Sequence, residues 1–153
     1  MHAFGIQIHE DMVHVCPSGM TKQTVLDALI GLVGHVPGVV TDQEAFRRAV
    51  FEREAVMSTG IGSGVAIPHV RTDAVKVASL VVGISAEGID FDTLDNALVH
   101  VIVLFAMPAG SQKEYLRLLA QVMQSLKIPG FRDRLMQCST AAEIVTYLNE
   151  FEK

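Results

Sequence analysis

The chain has 153 residues, of which half are hydrophobic and 19% charged, and its net charge is −5. That balance supplies one core of ordinary domain size and excludes intrinsic disorder. An acidic chain without a basic stripe is not a general nucleic-acid binder, because nothing is present to neutralise phosphates.

The N-terminal MHAFGIQIHEDM lacks the charged head and apolar run of a secretory signal, so a cytoplasmic protein is expected. Helical spacing predicts a first helix over about Thr21 to Val33, with Val25, Leu29, Leu32 and Val33 on one face and Gly34 as its stop. A second is predicted over about Asp42 to Glu54. Its stripe of Phe46, Ala49 and Val50 runs on into Arg53 at i+7, a cation in line with the apolar face. The texture then changes to short, β-branched runs at Val65 to Ile67, Val77 to Ile84 and Val99 to Ala106. They read as buried strands, which need cover on both faces. The longest nearly apolar run, Ala97 to Met107, is too short to span a bilayer and carries His100. A third helix is predicted over about Gln112 to Leu126, with Tyr115, Leu118, Leu119, Val122 and Leu126 inward. A short helical turn at Phe131 to Met136 and a last helix over about Ala141 to Phe151 follow. Thr41 to Glu44, Ser111 to Glu114 and Thr140 to Glu143 each read S/T-x-x-E, the capping-box pattern. The sum is an α/β fold, one domain over residues 1–153, with a mixed sheet of about five strands flanked by helices.

The most unusual stretch is Thr59-Gly60-Ile61-Gly62-Ser63-Gly64-Val65-Ala66-Ile67-Pro68-His69. Alternate glycines permit backbone forbidden to other residues, and Pro68 stiffens the approach to His69. The device is expected to deliver His69 at the end of a strand on a rigid stem, which suits a reactive imidazole. Taken alone, a structural histidine after a proline turn fits as well. A Walker loop is excluded because no Lys-Ser or Lys-Thr follows, and a Rossmann fingerprint because Val65 occupies its third glycine position. His2, His9 and His14 lack metal-ligand spacing, and Asp90, Asp92 and Asp95 lack an EF-hand's pattern. Cys16 and Cys138 form no C-x-x-C. No cofactor or metal is implied, and metal-dependent hydrolysis is the remotest alternative.

The glycine-to-His69 segment resembles the active-site signature of the fructose/mannitol-type enzyme IIA domains of the bacterial phosphoenolpyruvate-dependent sugar phosphotransferase system, the nitrogen-regulatory branch included. Arg53-Glu54 upstream, Gly88-Ile89-Asp90-Phe91 before the strand Val99 to Phe105, the Tyr115 to Ala120 helix and the Phe131-Arg132 to Leu148 ending are similar too. The resemblance spans about Met20 to Phe151. It implies that His69 accepts a phosphoryl group from an HPr-like phosphocarrier and passes it to an enzyme IIB or serves a regulatory protein target. It also implies that Arg53 holds the phosphoryl oxygens. Backbone around Gly62 and Gly64 is expected to assist. Ile67 and Val70, with Arg71 at the rim, are expected to form the docking surface. Tyr115 stands where many transporting members carry a second histidine. Either it supports His69 as a neutral group, or phosphorylation is poor and the output is regulatory binding.

Overall fold

The computed structural model describes residues 2–56 and 59–151. A 3₁₀ turn over Glu10–Met12 leads into β1 (Val13–Val15), followed by α1 (Lys22–His35) and α2 (Gln43–Val56). Next come β2 (Gly60–Gly62), β3 (Val65–Ala66), β4 (His69–Thr72), β5 (Ser79–Ile89) and β6 (Val99–Pro108). The chain closes with α3 (Gln112–Leu126), α4 (Phe131–Met136) and α5 (Ala141–Glu150).

The six strand segments occupy five lanes. Their order is β1, β5, β6, β3, β2, and β4 also pairs with β6. β3 and β4 lie end to end along the same edge of β6: Val65 and Ala66 pair with Val101 and Ile102, and His69 to Thr72 pair with Phe105 to Pro108, all in parallel. β1 runs parallel to β5, β5 antiparallel to β6, and β2 antiparallel to β3. The sheet is thus mixed, as its α/β composition leads one to expect. β5 from Ser79 to Ser85 and β6 from Val101 to Met107 are buried without a break. Their continuous apolar sequences follow from cover on both faces.

Helix starts follow the capping residues more loosely than the motifs suggest. Thr21 caps α1, accepting from the Thr24 N–H at 3.2 Å, and Thr140 caps α5 through the Glu143 N–H at 3.1 Å. At α2 the cap is Asp42, whose Oδ1 accepts from the Ala45 N–H at 3.0 Å. Thr41 instead donates its hydroxyl to the Ala74 carbonyl. Ser111 donates to the Pro108 carbonyl and makes no side-chain cap. Nor does Gly34 stop α1. The helix runs on to His35, and Gly34 makes room for Gln43, whose Nε2 donates to the Ile30 carbonyl. β1, β2 and β4 are too short to carry a visible period of two, and they exist because neighbouring lanes offer them open edges.

β5 is irregular near its end, where the pairing slips between Ile84 and Ile89. Gly88 sits in that slip with φ +90°, and a Cβ there would lie 2.8 Å from Leu98 Cβ and 2.9 Å from His100 Cε1. Neither the conformation nor the space suits a side chain. Gly88→Ala is therefore expected to lower unfolding free energy by about 1–3 kcal/mol in urea titrations. An unchanged midpoint would show that the slip tolerates a methyl group.

Candidate functional site

The lane break between β3 and β4 sets the geometry. Ile67 and Pro68 belong to neither strand. The Ile67 N–H donates across to the Thr59 carbonyl at 3.0 Å, and the Pro68 carbonyl accepts from the Phe105 N–H at 2.9 Å. His69 therefore opens β4, rather than closing the strand before it, because Pro68 interrupts the ladder and β6 lets it resume.

His69 is half-buried. It lines a cavity of about 260 Å³ with Arg53, Thr59, Ile67, Tyr115, Leu119 and Met123. Its Nδ1 lies 3.1 Å from the Ile67 carbonyl oxygen. A carbonyl only accepts, so Nδ1 holds the proton in this hydrogen bond and Nε2 keeps its lone pair. The Tyr115 ring stacks on the imidazole with centroids 5.1 Å apart and 26° between planes. Phe105 meets the same tyrosine edge-on at 5.7 Å. Tyr115 is thus clamped between the sheet and His69.

Burial lowers the His69 pKa from its ordinary 6.5; the bond to Ile67 opposes this, and the Arg53 charge adds to it. The neutral, nucleophilic imidazole is favoured as a result. Burial likewise raises the Tyr115 pKa. A phenol so placed is neutral near pH 7 and can supply a hydrogen bond but no positive charge. The arrangement offers a neutral nitrogen nucleophile, a guanidinium in the same cavity and an aromatic wall. It suits transfer of a small anionic group.

The structure brings His69, Arg53 and Tyr115 to one cavity. Gly62 and Gly64 lie elsewhere. With Ser63 they form three successive positive-φ residues in the turn joining β2 to β3. Ser63 and Gly64 line a different hollow, beside His100 and Arg132. The Ser63 N–H is already given to Asp95. Ile67 is buried and lines the cavity, so it offers no rim to a partner, whereas Val70 is half-buried and Arg71 exposed. The buried residue at the end of the α2 stripe is Glu54, not Arg53. Thr59, Glu54 and Met123 were missed by sequence reasoning. Each had a signal: Met123 the i, i+4, i+8 spacing with Tyr115 and Leu119, Glu54 its place beside Arg53, and Thr59 its place at the head of the glycine segment. Among the described residues, no group of three or more His, Cys, Asp or Glu side chains could hold a metal.

Residues 7–151 match the family described as "Phosphoenolpyruvate-dependent sugar phosphotransferase system, EIIA 2". The chain belongs to this family, whose members in general transfer phosphoryl groups through a histidine. It is 36% identical over 124 residues to the nitrogen regulatory protein of Pseudomonas aeruginosa, covering 80% of this chain and 79% of that one. It is 32% identical over 130 residues to the fructose-specific EIIA component of Haloferax volcanii, covering 85% and 84%. The fold matches that of nitrogen regulatory protein IIA-Ntr from Neisseria meningitidis with a TM-score of 0.81 and 26% identity, over 94% of this chain and 97% of that one. Some relatives are much longer. At 29% identity over 132 residues, 86% of this chain, it spans only 21% of the fructose-specific EIIABC component of Bacillus subtilis.

A histidine with a depressed pKa has a definite pH signature. Below its ordinary pKa the unfolded chain binds the proton more readily than the native one, so stability rises with pH there and is lost as pH falls below 6.5. Removing the Arg53 charge should relieve part of the depression. In proton NMR titrations the His69 midpoint is expected below that ordinary value and higher in Arg53→Gln than in the parent. Coincident midpoints would show that the guanidinium does not act on the imidazole.

Proposed function

We propose that His69 is the phosphoryl acceptor of this enzyme IIA-type domain. The reading is carried by one observation: Nδ1 is bound to a carbonyl, which leaves Nε2 as the nucleophile in a cavity shared with a guanidinium. A phospho-imidazole donor on an HPr-like carrier approaches this cavity. The Nε2 lone pair forms the new N–P bond as the donor's N–P bond breaks, and the bonding pair returns to the donor ring. His69 keeps its Nδ1 proton throughout, so no base is required. The ring becomes positively charged as it gains the phosphoryl group, and the Ile67 carbonyl stabilises that charge. Arg53 binds the phosphoryl oxygens through charge-assisted hydrogen bonds. Tyr115 supports the ring by stacking. On this reading the domain over residues 1–153 acts in the cytoplasm and hands the group to an enzyme IIB. Among the described residues no helix is long and apolar enough to cross a membrane.

Incubation with phosphoenolpyruvate, enzyme I and HPr is expected to label the chain with acid-labile phosphate. His69→Ala should abolish the label, and persistence of the label in that variant would overturn the assignment. Val70→Asp, beside the site at a half-buried position, is expected to weaken donor docking more than folding, seen as a severalfold raised KM in a variant that still unfolds cooperatively.

A regulatory output is the second reading. It is favoured by Tyr115 at the position of the second histidine and by the 36% identity to a nitrogen regulatory protein. Onward transfer to an enzyme IIB at a rate comparable with loading would exclude it. A stable phosphorylated form that changes which partners co-purify would favour it.

A further inference from the structure

The hydrogen-bond chain that orients His69 starts at a carboxylate that is not in the cavity. The Glu54 side chain is only 4% exposed. Its Oε1 accepts from the Thr59 N–H at 2.8 Å, and its Oε2 accepts from the Thr59 hydroxyl at 2.7 Å. Lys22 Nζ, 3.1 Å from Oε1, balances the charge. One carboxylate therefore grips Thr59 at two atoms, through hydrogen bonds of the charge-assisted kind.

Thr59 passes this restraint on. Its carbonyl takes the Ile67 N–H at 3.0 Å, and the Ile67 carbonyl takes the Nδ1 proton of His69 at 3.1 Å. Ile67 needs that restraint because it lies in the lane break, outside the strand pairing on either side. The direction of its carbonyl depends on Thr59 before it and on the Pro68 carbonyl's bond to Phe105 after it. If that carbonyl turns away, Nδ1 loses its acceptor, and the proton is free to sit on either nitrogen.

We infer that Glu54 is a positioning residue which, through Thr59 and Ile67, holds His69 in the Nδ1–H tautomer with Nε2 free to react. Its consequence for transfer rests on the reading of His69 as phosphoryl acceptor; its effect on the tautomer does not. A purely structural Glu54, present only to pair Lys22 and close α2 onto the hairpin, would move the melting temperature and leave the tautomer unchanged.

Ring-labelled histidine and ¹⁵N NMR at neutral pH separate the two roles, with transfer from phospho-HPr measured on the same samples. The parent is expected to show one His69 tautomer, with the proton on Nδ1. Glu54→Gln and the near-isosteric Thr59→Val should show a mixture of tautomers. Their kcat should fall by about ten- to a hundredfold while the donor KM stays within about twofold. Thr59→Ser, which keeps the hydroxyl, should keep the Nδ1–H signature. The inference is overturned if either folded variant retains that single tautomer, whatever its kcat, or if both variants simply fail to fold. Should the parent carry its phosphate on a residue other than His69, the functional reading falls, and the tautomer shift alone still decides the role of Glu54.

Discussion

The site depends on a two-residue departure from a sheet edge. Between Ala66 and His69 the chain leaves β6 and rejoins it in the same lane. A regular strand would point alternate side chains to opposite faces and turn its carbonyls towards the neighbouring lanes. Here the Ile67 carbonyl is released from that duty and given to the imidazole instead. The rigidity comes from β6, whose burial from Val101 to Met107 anchors both ends of the break. His69 is thereby held by the backbone of a strand pairing along the buried run of β6.

The end of α2 serves that histidine from two sides. Neighbouring residues on a helix point about 100° apart. Arg53 accordingly lines the cavity, while Glu54 turns to Thr59 and Lys22. Opposite charges placed side by side in sequence thus take separate duties, one facing the expected anion and one fixing the loop. Burial and Arg53 both disfavour a charged His69. That suits a nucleophile, because protonation of both nitrogens would remove the lone pair that reacts.

Tyr115 gives the cavity a neutral aromatic wall. Stacked on His69 and braced by Phe105, it restricts the ring without adding charge. The guanidinium of Arg53 is the cation that lines this cavity. The glycine turn belongs to a different part of the surface. Its three positive-φ residues close the β2–β3 hairpin, and that hairpin brings Thr59 opposite Ile67. The glycines belong to that hairpin and do not line the cavity of His69.

The sequence alone determined the helices, the two long buried strands, the family resemblance and the cavity residues His69, Arg53 and Tyr115. Periodic burial and the Pro68-His69 stem write the elements and His69 into neighbouring residues, where local reading finds them, whereas Arg53 and Tyr115 were implied as site residues by the resemblance. It did not reveal β1, β2 or β4, since three or four residues carry no period and pair only because an edge is waiting. Nor did it reveal that His69 opens a strand, that Gly62 and Gly64 stand apart from the cavity, or that Glu54 grips Thr59 and Thr59 meets Ile67. Those facts turn on main-chain hydrogen bonds and on the meeting of separate segments, which local sequence does not record. Only the tertiary fold, by laying Thr59 across from Ile67 and β4 along β6, decided them.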